Sequence, residues 1–281
     1  MFVDTHAHVN FDAFKGDSKE VLEKCLREQT WVINVGSQYS TSKRAVEIAQ
    51  SFPEGVYAVV GLHPVHLFSM RVDEEESSFE TREEKFDYQK YLELARDPKV
   101  LGIGECGLEY FHLPPSQEEE VEARQKQVFL EHIMLASETK KTLMVHSRDA
   151  YEDIYQIIKP RMSGLRAVVI HSFIGNWKQA EMFLDLGCFL SFNGIVTYKP
   201  RKEKKPGGSD PGLLEAVANT PLDKILLETD CPYLSPEPFR GQRNFPFRVK
   251  FVAEKIAAIK RLPVEEVERQ TTANARKAFG F

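Results

Sequence analysis

Six histidine and carboxylate side chains stand where apolar runs of this chain end. The first run is Met1-Phe2-Val3-Asp4-Thr5-His6-Ala7-His8, which closes on two histidines with one residue between them. Side chains two apart on a β-strand point to the same face, so His6 and His8 should aim at one spot near the strand's C-terminal end. Converging imidazoles are how a protein begins a metal site. Later runs end in Glu105 after Leu101-Gly102-Ile103-Gly104, in His146 after Thr142-Leu143-Met144-Val145, and in His171 after Val168-Val169-Ile170. The last ends in Asp230, after Ile225-Leu226-Leu227-Glu228-Thr229. Four histidines and two carboxylates can fill the shells of two metal ions. Glu105 can bridge them with its two oxygens, which a neutral imidazole cannot do.

Residues so far apart in sequence meet only if the fold gathers strand ends. Short apolar runs occur at Phe2–His6, Trp31–Val35, Val56–Gly61, Val100–Gly104, Thr142–Val145, Ala167–Ile170, Cys188–Phe192 and Ile225–Leu227. Continuous apolar runs of this length suit parallel strands buried on both faces. Helix-periodic segments lie between them: Lys19–Glu28, Ser42–Ser51, a long one opened by a capping box at Ser116-Gln117-Glu118-Glu119 and reaching Thr139, then Asp149–Lys159, Asn176–Leu186 and Pro211–Ala218. This beat predicts a single α/β domain over 1–281, a (β/α)8 TIM barrel, with a doubly wound sheet as the alternative. No glycine-rich phosphate loop follows the first strand, which weakens a nucleotide-binding version of that alternative. In a barrel the strand C-termini share one mouth, where active sites lie.

Two segments interrupt the beat. Residues 71–89 are rich in Glu, Asp and Ser and read as a solvated surface insertion. Residues 198–210 carry Lys199, Arg201, Lys202, Lys204 and Lys205 with Pro206-Gly207-Gly208, and read as a loop on the mouth face, either a plain insertion or a basic arm that draws in phosphates. The end of the chain reads as two helices divided near Leu262-Pro263, with Pro263 at a helix start. His132 falls within the long helix and reads as structural.

The 281 residues can bury a sizeable core without disulfide staples. A net charge of −5 argues against a broad, non-specific nucleic-acid binder, though not against a nuclease that holds a few phosphates at a local site. The four cysteines show no C-x-x-C spacing, as expected of reduced thiols in the cytoplasm. No apolar run reaches the roughly 20 residues of a membrane span. The metal motif begins almost at Met1, so no removable leader is expected, and no obligate protein partner is implied.

The motifs resemble those of the TatD family of metal-dependent hydrolases, within the amidohydrolase-like barrels, over nearly the whole chain. Asp4-Thr5-His6-Ala7-His8, Gly61-Leu62-His63-Pro64, Gly104-Glu105, His146-Ser147-Arg148-Asp149-Ala150, Ile170-His171-Ser172-Phe173 and Leu227-Glu228-Thr229-Asp230 stand in the family's order, followed by Pro232-Tyr233-Leu234 and Arg240-Gly241-Gln242-Arg243-Asn244. The resemblance implies a barrel, a divalent-metal site at His6, His8, Glu105, His146, His171 and Asp230, and often 3′ to 5′ deoxyribonuclease activity. Glu109, Ser172 and Phe245 depart from the family's usual Asp, Cys and acidic residue at those places, and both insertions look long.

On this basis His6, His8, Glu105 and Asp230 are expected to hold one ion, and Glu105, His146 and His171 the other. Zn, Mn, Ni or Co suits such a mixed shell better than Mg, although the resemblance allows Mg. A divalent metal brings the pKa of bound water to about 7, and Asp230 is expected to accept that water's proton. His63 either reaches a substrate phosphate or orients a ligand. Arg148 and Arg243 are candidates for bidentate phosphate contacts or surface ion pairs. DNA is the expected substrate. The same barrel would also serve cleavage of an amide or ester, such as an aminoacyl ester on tRNA. A catalytically silent binding module would require a damaged ligand set.

Overall fold

The alternation of apolar strands with amphipathic helices produces the expected barrel. The structure, a computed structural model, describes residues 1–69, 71–73, 78–80, 83–199 and 211–281. In chain order the elements are β1 (Phe2–Ala7), α1 (Ser18–Arg27), β2 (Thr30–Val35), α2 (Tyr39–Gln50) and β3 (Val56–Val60). Then come β4 (Arg71–Asp73), β5 (Ser78–Glu80), α3 (Tyr88–Ala95), β6 (Val100–Glu109), α4 (Glu118–Thr139), β7 (Thr142–Arg148) and α5 (Tyr151–Ile158). The chain ends with β8 (Val168–Ile170), α6 (Trp177–Asp185), β9 (Phe189–Phe192), α7 (Pro211–Asn219), β10 (Ile225–Leu227), α8 (Val249–Lys260) and α9 (Val264–Phe279).

Eight strands pair in the order β1-β2-β3-β6-β7-β8-β9-β10, all in parallel. The circle closes where Ala7 bridges Cys231, where Asp230 N–H donates to His6 O at 2.9 Å, and where His8 N–H donates to Cys231 O at 2.8 Å. Every strand sends a side chain inside, β2 two: Val3, Ile33, Val35, Val59, Leu101, Met144, Val169, Phe189 and Leu226. Ala275, Ala278 and Phe279 of α9 join this cluster from the strands' N-terminal end, where the Thr142 hydroxyl donates to Ala278 O at 2.6 Å. The outward strand residues pack on the helices in a second, larger cluster.

Two strands break their register just where candidate ligands sit. In β1 the four residues Asp4 to Ala7 span three of β2, Val32 to Asn34. In β6 the four residues Ile103 to Cys106 span three of β7, Leu143 to Val145. Each is a bulge, and a bulge re-aims a side chain. Simple alternation from Val3 and Thr5 would turn His6 toward the helices; the extra residue lets Thr5 and His6 both face inward. Glu105 gains the same freedom, helped by Gly104 at φ +145, where an added Cβ would stand 2.4 Å from Met144 O.

Several expectations need correction. Strand β6 does not stop near Gly104 but runs on to Glu109, still paired with β7 as far as Arg148. The capping box at Ser116 does not form: Ser116 adopts φ +70, and α4 begins at Glu118 behind an N-cap, Gln117, that makes no side-chain bond. Pro263 does stand at a helix start, as the N-cap of α9. The acidic 71–89 segment is not simply solvated. It contains the antiparallel pair β4–β5, and Tyr88 and Gln89 open α3 behind an Asp87 cap that accepts from Lys90 N–H at 3.2 Å. Glu84 accepts from Tyr39 N–H and Tyr91 Oη–H, and Phe86 packs at a tilt against His132. Residues 74–77 and 81–82 of this segment lie outside the described residues. So does 200–210, nearly all of the basic loop; Tyr198 before it is buried, its hydroxyl donating to Ser235 O at 3.0 Å.

Candidate metal centre

His6, Glu105 and His146 from within β1, β6 and β7, and His8, His171 and Asp230 from the segments just past β1, β8 and β10, come together in one cluster. Glu105 lies at its middle, and its two oxygens face opposite ways. Oε2 lies 3.4 Å from His6 Nε2 and 3.9 Å from His8 Nε2. Asp230 Oδ1 completes that side, 3.2 Å from His8 Nε2 and 3.7 Å from His6 Nε2, and the two imidazole nitrogens are 3.1 Å apart. Oε1 lies 2.7 Å from His171 Nε2, 3.0 Å from His146 Nδ1 and 3.2 Å from His63 Nε2. His146 Nδ1 and His171 Nε2 are 3.3 Å apart.

These spacings fit a divalent cation. Bonds of about 2.0–2.1 Å to nitrogen and oxygen give tetrahedral edges of about 3.4 Å, close to the donor separations on both sides of Glu105. The hydrogen bonds made by the far nitrogens fit as well. His8 Nδ1 donates to Val35 O at 2.8 Å, which leaves the Nε2 lone pair facing the cluster. His146 Nε2 donates to Glu109 Oε2 at 3.1 Å, which leaves Nδ1 facing it. Such outer partners fix the tautomer of a ligating imidazole. His171 Nδ1 lies 3.7 Å from the wholly buried Glu228, which also accepts from Ser172 N–H at 2.6 Å.

The electrostatics agree with the geometry. Burial works against the charge on Glu105, but His171, His63 and His6 hold its carboxyl well below the usual carboxylate range. Asp230 is also lowered, burial being outweighed by its bond to His8 and the charge of His6. Despite burial, Glu105 and Glu228 raise His171 well above its ordinary value, Asp230 and Glu105 raise His8, and Glu105 and Glu109 raise His146. Buried carboxylates that draw protons onto their neighbours also draw a cation.

The family described as TatD related DNase matches residues 3–280. This chain belongs to that family. The uncharacterized metal-dependent hydrolase YabD of Bacillus subtilis is 37% identical to it over 280 residues, 99% of each chain. YcfH of Escherichia coli K12, described in the same words, is 30% identical over 283 residues, 99% of this chain and 96% of its own. Among solved structures, the TatD homologue YjjV of Escherichia coli K12 superposes with a TM-score of 0.81 at 27% identity, covering 100% of this chain and 98% of that one.

The remaining residues singled out in this TatD protein lie at different depths. His63 sits beside Glu105, but its Nδ1 accepts from Val65 N–H at 3.0 Å. Neutral His63 therefore carries its proton on Nε2, as a donor rather than a lone pair facing the cluster, and burial keeps it below its ordinary pKa. Arg148 is at the rim, its guanidinium over the Phe111 ring at 4.4 Å. Arg243 ties two loops together: it pairs with Asp17, donates to Ala13 O at 2.6 Å, and lies between Phe14 and Phe245.

Two carboxylates had no role assigned from sequence. Glu109 stood out only as a departure from the family pattern; it is buried and holds both His146 and the backbone N–H groups of Phe111 and His112. Glu228 and Asp230 follow β10 two residues apart, a spacing that could have marked a shared face if the strand ran on.

Proposed function

We propose that this protein is a divalent-metal-dependent hydrolase that cleaves phosphodiesters of single-stranded DNA from the 3′ end, with two ions held on either side of Glu105. Metal-dependent hydrolysis is the activity that its family membership supports. The observation that carries the finer reading is the arrangement of Glu105, whose separate oxygens each face their own set of donors. His6, His8 and Asp230 would hold one ion with Oε2, and His146 and His171 the other with Oε1. Ions held there supply Lewis-acid polarisation of a phosphoryl oxygen and make hydroxide available at neutral pH.

The chain's own groups do the rest. Asp230 is the most open of these side chains, 17% exposed against 7% for Glu105 and 0% for His6. It takes the proton that the attacking water gives up as the new P–O bond forms, and returns it to the 3′ oxygen that leaves as the P–O3′ bond breaks. His63 Nε2–H donates to a phosphate oxygen, and Glu109 keeps His146 turned inward. Arg148 offers a forked cation to a neighbouring phosphate. Within the described residues no helix is long and apolar enough to cross a membrane, and the four cysteines are unpaired and buried, which supports a cytoplasmic setting.

The test is hydrolysis of 5′-labelled single-stranded DNA by metal-stripped protein, with Mg, Mn, Zn and Co restored singly and Asp230→Asn run alongside. The expected result is a ladder that shortens from the 3′ end and is lost in Asp230→Asn, which keeps much of its metal. No cleavage with any metal would overturn the nuclease reading and redirect the search to aminoacyl esters and small amides. Full activity in Asp230→Asn would remove that residue from the proton-accepting role.

A further inference from the structure

Three large hydrophobic side chains stand well exposed among the described residues: Phe111, Met134 and Ile174. Met134 lies on α4, but Phe111 and Ile174 follow β6 and β8, which places both at the mouth of the barrel. Phe111 is 49% exposed and yet firmly held. Its N–H donates to Glu109 Oε1 at 2.8 Å, and the other oxygen of Glu109 takes the His146 Nε2 proton at 3.1 Å. Its backbone is therefore two hydrogen bonds from a candidate ligand.

The pairing of β6 with β7 continues past the ligands, with Glu109 opposite Arg148 and Tyr110 N–H donating to Arg148 O at 2.9 Å. This ribbon sets the Arg148 guanidinium against the Phe111 ring. His112 meets the same ring edge-on, with centroids 4.7 Å apart. A rigid aromatic ring that keeps half its surface in water, beside a cation and a metal centre, offers a stacking face next to a phosphate donor.

We propose that Phe111 and Arg148 form a subsite in which the base of a nucleotide flanking the scissile phosphate stacks on the ring. The inference rests on the nuclease reading and adds to it how a single strand is held. The occupant is single-stranded, because a duplex already buries the faces of its bases. Stacking on a ring tolerates any base, so the subsite confers strand preference without sequence preference.

The test uses the metal-loaded full chain and compares the wild type with Phe111→Ala and Phe111→Trp. Substrates are single-stranded DNA and the same strand carrying a tetrahydrofuran abasic residue at each of the three 3′-terminal positions in turn. Phe111→Ala should raise KM on intact DNA about ten-fold, with bound metal unchanged, and Phe111→Trp should restore it. At one abasic position the wild type should lose the same factor and Phe111→Ala should add no further loss. An unchanged KM in Phe111→Ala, or an equal additional loss at all three abasic positions as a purely structural role would give, overturns the subsite. A wild type that cleaves no DNA defeats the nuclease reading itself and the subsite with it.

Discussion

At the scale of single residues, Glu109 bears on both chemistry and shape. One oxygen holds His146 Nε2–H and the other gathers the N–H groups of Phe111 and His112. Burial opposes its charge, but bonds from His112 and His146 keep it ionised well below the usual carboxylate range. Glu109→Ala should therefore weaken metal binding and turnover about 10–100-fold, read by metal titration and by DNA hydrolysis of the loaded enzyme. An unchanged metal affinity would remove Glu109 from the orientation of His146. The clustering of the six candidate ligands was legible in the sequence because each follows an apolar run, and a barrel turns such runs into neighbours. The roles of Glu109 and Glu228 were not legible, because they depend on hydrogen bonds between strands distant in sequence. Nor was the proton position on His63, which a single turn N–H from Val65 decides.

At the scale of elements, α4 braces the mouth through His132. This wholly buried side chain donates from Nδ1 to Val128 O at 2.8 Å, and its Nε2 accepts from Leu62 N–H at 3.0 Å, next to His63. Desolvation pushes it down to about 4. The folded state thus holds His132 neutral, while an unfolded chain protonates it near pH 6.5. Its stabilising contribution is fully present above pH 6.5 and is lost as pH falls toward 4, about 3 kcal/mol in all. Unfolding in urea across this range should show wild type losing about that much more than His132→Gln. Parallel pH profiles would show that His132 does not carry the effect. The beat of strands and helices was legible from apolar periodicity. The bulges in β1 and β6 were not, since register belongs to a pair of strands and not to one. Helix α3 was hidden by the charge of the segment before it, although Asp87 followed by Tyr91, Leu92 and Ala95 carries a cap and one apolar face.

At the scale of the whole molecule, the barrel is closed below and open above. The end of α9 covers the strands' N-terminal side, and β1 meets β10 through backbone bonds that involve His6, His8 and Asp230 themselves. Closure of the sheet and assembly of the donor cluster are therefore one event. The net charge of −5 places any hold on DNA at the mouth rather than over the surface. The proposed function rests on two cation sites joined by Glu105. An anomalous difference map from a crystal grown with zinc or manganese would locate them. Two peaks about 3.5–4 Å apart are expected, one among His6, His8, Asp230 and Glu105 Oε2, the other among His146, His171 and Glu105 Oε1. A single peak, or a second one away from Glu105, would contradict that arrangement.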